Sequence, residues 1–174
     1  MKQLLDAIRA DPNHAKFTRI VDAVVLKIDL VAWTAEAMTM HAARNSRRIL
    51  GEDRYSAKIL VDATLQDLSA RSRLVEIRVR NDIQMASLAT AIGAMRRHVS
   101  TQYADELKEF STAGLRASFV DRVLKTSLQI LEEGTALTGM IDLLIRDIDA
   151  AGYSFKAVID CLKLLEGNKG GRVI

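Results

Sequence analysis

From Phe17 onward, apolar and small residues recur at steps of four and three: Phe17, Val21, Val24, Ile28, Val31, Ala35, Met38, Ala42, and then Ile49. That spacing is a helix-packing seam, and it predicts one long helix ending near Gly51. Ahead of it, Asp11-Pro12-Asn13 breaks the pattern, because the residue before a proline is driven out of helical geometry while Asp and Asn cap the next helix. A short first helix therefore precedes the break. A third helical segment runs from about Ser56 to Thr112, with no proline and Gly93 as its only glycine. Unbroken it would reach about 85 Å at 1.5 Å per residue, so a kink or cap is expected. Asn81 followed by Gln84 has the spacing of a capping box and marks one place for the break. Gly114 is placed to close this segment, and a fourth helix runs from about Leu115 to Ala151, with Gly134 and Gly139 as weak points or close-contact sites. Its second half carries a clean seam of Leu137, Ile141, Leu144 and Ile148. Gly152 then stops it, Ser154 caps a last helix over Phe155 to Glu166, and Gly167 ends that one.

The stretch RLVEIRVRND, Arg73 to Asp82, alternates like a strand, with Val75, Ile77 and Val79 between Glu76, Arg78 and Arg80. A strand here would need turn residues on both sides and a partner, and no second alternating run exists. On a helix at 100° per residue the same residues fall into two stripes. Ile59, Ala63, Ala70, Leu74, Ile77, Met85, Leu88, Ile92, Met95 and Val99 form one; Val61, Leu65, Leu68, Val75, Val79, Ile83 and Ala86 form the other. Two apolar stripes need two neighbours, so residues 59 to 86 are expected in the middle of a bundle or at a subunit interface. A ribbon-helix-helix DNA binder would use the strand reading, but MASLATAIGAMRRHVSTQYADELKEF shows no turn after the first helix.

Composition strengthens the helical picture. The chain has 174 residues, 49% hydrophobic and 27% charged, with one proline and nine glycines, which places it among ordinary globular domains rich in helix formers. Aromatics make up only 5%, so the core must be aliphatic. The expected architecture is an all-α, extended antiparallel bundle of about five helices, two or three of them long. One domain over 1–166 and a flexible tail over 167–174 are expected. Asp6 and Arg9 interrupt the N-terminus, which lacks the apolar core of a signal peptide. No run approaches the roughly 18 apolar residues of a transmembrane segment. The single Cys161 rules out an intrachain disulfide and fits a cytoplasmic location.

The formal net charge of +3 hides an asymmetry. Residues 44–97 hold eleven basic against six acidic side chains, whereas residues 105–166 hold seven against eleven. A basic middle can track phosphates, and it can equally dock on the acidic last third. Arg71 and Arg78 project between the stripes, each four residues from an acid, Asp67 and Asp82, and read as packed, paired arginines. Arg73 and Arg80 flank Glu76 on the solvent side. Arg44, Arg47, Arg48, Arg96 and Arg97 are the candidate nucleic-acid contacts, although basic residues near a helix C-terminus also complement its partial negative charge. No aromatic residues interleave with them as a stacking platform.

Catalytic chemistry finds little to work with. His14, His41 and His98 have no Asp, Glu, His or Cys four residues away, so no helical metal pair is written locally, and no metal or cofactor is assigned. His41 beside Met38 and Met40 reads as a packed histidine, and Cys161 among Val158, Leu162 and Leu165 as an inert core thiol. There is no phosphate-binding loop, dinucleotide fingerprint or nucleophile elbow. The sequence is read as that of a non-catalytic interaction or assembly protein that self-associates through long amphipathic helices, as a homo-oligomer or with another protein. Candidate interface residues are Leu74, Val75, Ile77, Arg78, Val79 and Asp82. A nucleic-acid-binding helical protein is the alternative, and a ligand sensor with a pocket near Trp33, Met38 and His41 is a third reading.

Overall fold

Seven helices make up the regular structure of residues 2–44 and 57–169, the part of the chain that the computed structural model describes. In chain order they are α1 (Lys2–Ala10), α2 (Pro12–Val25), α3 (Leu30–Ala42), α4 (Ala57–Gln102), α5 (Ala104–Leu107), α6 (Ala113–Val123) and α7 (Lys125–Lys169). The expected all-α class holds, and α4 and α7 are long, at 46 and 45 residues. No strand occurs among the described residues, so Arg73 to Asp82 is helix.

The chain divides into two compact units. The first comprises Met1–Leu30 and Val79–Thr138, and the second Val31–Arg78 and Gly139–Ile174. Helices α4 and α7 supply a segment to each, and within each unit they run antiparallel. In the second unit Arg78 meets Asp142 and Arg71 meets Asp149, while Leu60 and Ala63 pack with Phe155. In the first, Asp82 meets Thr138, Asn81 meets Gly134, and Arg96 meets Asp121.

The buried seam of α4 explains why alternation in sequence became a helix. Leu60, Ala63, Asp67, Ala70, Leu74 and Ile77 are buried in the second unit, and Asn81, Met85, Leu88, Ile92, Met95 and Val99 in the first. The steps alternate three and four except at Ile77, Asn81 and Met85, where two fours stand in succession and absorb the drift of a straight helix against a heptad. Leu60 rather than Ile59 takes the first position. The helix passes straight through Asn81, where a break was expected. Asn81 is fully buried instead, and its amide donates to the Gly134 carbonyl at 2.7 Å and to Thr138 Oγ1 at 2.9 Å.

Other boundaries moved as well. The seam from Phe17 is interrupted at 26–29, where Lys27 and Ile28 make short-range bonds to the Val24 and Val25 carbonyls. Val21 then serves the first unit's core, and Trp33 and Ala37 are buried in the second unit. Asp11 caps α2 as expected, its Oδ1 accepting from the Asn13 N–H at 2.8 Å with Pro12 at the first helical position. Helix α4 stops at Gln102, ten residues early, and the chain turns so that Leu107, Phe119 and Val120 can enter the first unit's core. Thr112, not Gly114, governs the next start, its hydroxyl accepting from the Leu115 N–H. A one-residue departure at Leu124 separates α6 from α7. Helix α7 then continues through Gly152 and Gly167 to Lys169. Ser154 caps nothing, because its hydroxyl donates back to the Ala150 carbonyl. The expected helix end at Gly51 lies outside the described residues.

Of the two suspected contact glycines, one is real. A Cβ at Gly139 would meet nothing within 4 Å, whereas one at Gly134 would run into the Met85 sulfur. Alanine normally stabilises a helix interior relative to glycine by about 1 kcal/mol. At Gly134 the sign should reverse: Gly134→Ala is expected to lower unfolding free energy by about 1–2 kcal/mol through overpacking. Combined with Met85→Ala, the two losses should be less than additive, and strictly additive losses in urea unfolding would refute the steric account.

Candidate functional site

In the second unit the end of α3 is tied to both long helices by buried charge. Arg44, two residues past α3, has a side chain with no exposed surface. Its Nε donates to Asp67 Oδ1 at 2.8 Å and its Nη2 to Asp67 Oδ2 at 3.1 Å, a two-pronged match of guanidinium to carboxylate. Nη1 reaches Asp147 Oδ2 at 3.1 Å, and the same oxygen bonds His41 Nε2 at 2.8 Å. Two further arginines cross between the helices at the rim, Arg71 to Asp149 at 2.8 Å and Arg78 to Asp142 at 3.2 Å. Arg73 bonds Glu36 and Glu76. Four arginines of the basic middle, Arg44, Arg71, Arg78 and Arg96, thus meet acids of the last third, one of the two destinations its charge allowed.

Beside this network, a cleft of about 450 Å³ opens between α4 and α7. Ile148 and Phe155 are buried at its floor, Leu68 and Tyr153 stand exposed on its walls, and Arg71, Asp149 and Lys156 supply its polar edge. Helix α4 carries an exposed apolar stripe here. Val61, Leu65 and Leu68 are 54%, 60% and 57% accessible. Their steps of four and three are those of a second helical seam, set beside the buried one. In the first unit, Val79 and Ile83 on the same helix are exposed as well. The second stripe is therefore not covered within its own unit.

The candidate interface residues fall on both sides of this division. Leu74 and Ile77 are fully buried in the chain's own core, since the seam that contains them faces α7. Val75 is half-buried and Val79 exposed. Arg78 bonds Asp142, and Asp82 accepts a hydrogen bond from Thr138 Oγ1 at 2.8 Å, so both serve the fold. Among the candidate nucleic-acid contacts, Arg44 is consumed by Asp67 and Asp147, and Arg96 pairs with Asp121. Arg47 and Arg48 lie outside the described residues. Arg97 is exposed and stands with Phe17 and His98 at a shallow cleft. Trp33 and His41 are buried, but His41 is held by a carboxylate rather than by methionines. Cys161 is exposed, not a core thiol, because the α7 face packed on Leu60 and Ala63 carries Val158, Ile159 and Leu162 instead. Among the described residues no group of three or more His, Cys, Asp or Glu could hold a metal ion, and no helix is long and apolar enough to cross a membrane.

The first unit has a smaller polar device. His98 Nε2 donates to Asp11 Oδ2 at 2.9 Å, which staples the start of α2 to α4, and Phe17 lies against the His98 ring. The Asn13 N–H first and His98 next hold the Asp11 carboxyl below its ordinary value of 3.8, against the opposing effect of burial. A carboxyl with a depressed folded pKa contributes stability that is complete above the unfolded value and lost as pH falls through the folded one. Thermal unfolding midpoints of the native chain should therefore decline more steeply below about pH 4 than those of Asp11→Asn, which keeps a capping side chain without the charge. Parallel curves would refute the linkage.

No family model matches this chain, and no curated protein or solved structure is significantly similar to it.

Proposed function

We propose that the chain is a non-catalytic helical assembly protein that self-associates through the exposed stripe of α4 in its second unit. The observation that carries this reading is the exposure of Val61, Leu65 and Leu68 at coiled-coil spacing on a long helix whose opposite seam is already packed. With Tyr153, which is also exposed and stands at the same cleft as Leu68, they make a contiguous exposed apolar patch, the kind of surface that marks an interaction site. A second copy is the fitting occupant, because an isologous pairing covers the stripe with itself. Leu74 and Ile77 hold the helix that presents the stripe, and Val75 lies at its edge. A cytoplasmic location goes with this reading, since an exposed single thiol persists in a reducing compartment.

Sedimentation velocity with light scattering across the micromolar range tests the proposal. A species of twice the 19.3 kDa chain mass, unchanged by nuclease and without excess absorbance at 260 nm, is the expected result. A chain that stays monomeric throughout would overturn it.

A further inference from the structure

A cleft of about 630 Å³ in the first unit lies where α2 crosses α4 and the start of α7. That volume is within the range of small-molecule sites, which pair an apolar floor with a few polar groups. Here the floor is Val21 and Met95, both buried, extended by Val25 and Ile130. Arg9 and Arg19 stand at the edge, exposed. Unlike Arg44, Arg71, Arg73, Arg78 and Arg96, neither makes an ion pair among the described residues. His14 also lines the cleft, and its Nδ1 is buried without a hydrogen-bond partner. A buried polar atom left unsatisfied is uncommon and calls for a partner from outside the chain. Asp22 is the one acid in the lining, which leaves an excess of a single positive charge.

We propose that this cleft binds a small amphipathic monocarboxylate, with its apolar body on Val21, Met95 and Ile130 and its carboxylate held by Arg9, Arg19 and His14. The guanidinium groups match a carboxylate in two-pronged fashion. Asp22 disfavours a second negative charge on the ligand. Burial lowers the pKa of His14, with the His98 charge adding to the effect and Asp11 opposing it, so the ring enters as a neutral imidazole able to offer Nδ1–H. Ser127 and Thr126 also line this cleft.

Calorimetric titration of the full chain with decanoate tests this, together with amide chemical shifts to locate the site. Saturable one-to-one binding is expected, with shifts centred on α1, α2 and the Met95 region of α4. Decan-1-ol tests the carboxylate, acetate the apolar body, and decanedioate the single charge; each should bind at least about tenfold more weakly. Arg9→Ser and Arg19→Ser, both exposed positions, should each weaken decanoate about tenfold, as loss of a hydrogen bond to a charged group does. Ser127→Trp should block the cleft. Absence of saturable binding at about millimolar decanoate would overturn the proposal, as would undiminished binding by the Arg9→Ser, Arg19→Ser double variant.

Discussion

Replacing Arg44 with methionine should lower the unfolding free energy by about 3–5 kcal/mol, the typical loss when one member of a buried ion pair is removed. The side chain is wholly buried and bonds Asp67 through two nitrogens and Asp147 through a third. Asp67 is itself only 4% exposed. Without the guanidinium, that carboxylate is left in a desolvated seam between Ala63 and Ala70, where water cannot compensate it. For a chain of this length the loss corresponds to a fall in melting temperature on the order of 10 °C. The decisive companion is Arg44→Met with Asp67→Leu. Because isosteric apolar replacement of a whole buried pair is often neutral or stabilising, the double variant should recover most of the loss. Urea unfolding of the native chain, the two single variants and the double variant measures the coupling directly. An Arg44→Met stability within about 0.5 kcal/mol of native, the range of ordinary surface substitutions, would mean that the pair is not desolvated in solution.

Leu65→Glu combined with Leu68→Glu should weaken self-association by about a hundredfold or more. Central apolar anchors of an interface contribute about 2 kcal/mol or more each when lost, and each 1.4 kcal/mol is a factor of ten in affinity. Both leucines are more than half exposed in the single chain, so the isolated fold has little to lose. Helical content should stay native while sedimentation shifts to the monomer. Leu74→Glu is the contrast, since that position is fully buried and its substitution should unfold the second unit. A double-glutamate variant that still dimerises like the native chain would remove the α4 stripe from the interface.

Sequence periodicity determined the helical class, the α7 seam of Leu137, Ile141, Leu144 and Ile148, the helical state of Arg73 to Asp82, and the Asp11 cap. These features are local: hydrophobic period and capping are set by residues within a turn or two of one another. The charge asymmetry also foreshadowed arginines docking on the acidic third, although not which arginine meets which acid. Asp147 as the partner of both His41 and Arg44 has no signal in sequence, because the three are joined only by the register of α3 against α7, 103 and 106 residues away. Asp67 sits at i,i+4 from Arg71, yet its carboxylate takes the buried Arg44 and Arg71 takes Asp149. The glycine signals misled for a related reason. Gly134 and Gly152 remain helical, with no positive φ among the described glycines, and the close approach of Met85 to Gly134 explains one of them. Two apolar stripes on α4 were legible from residue order alone. Only the tertiary structure decided that the stripe of Leu74 and Ile77 is the chain's own core while that of Leu65 and Leu68 faces outward, because burial depends on which neighbour the fold brings alongside, and that neighbour lies far away in sequence.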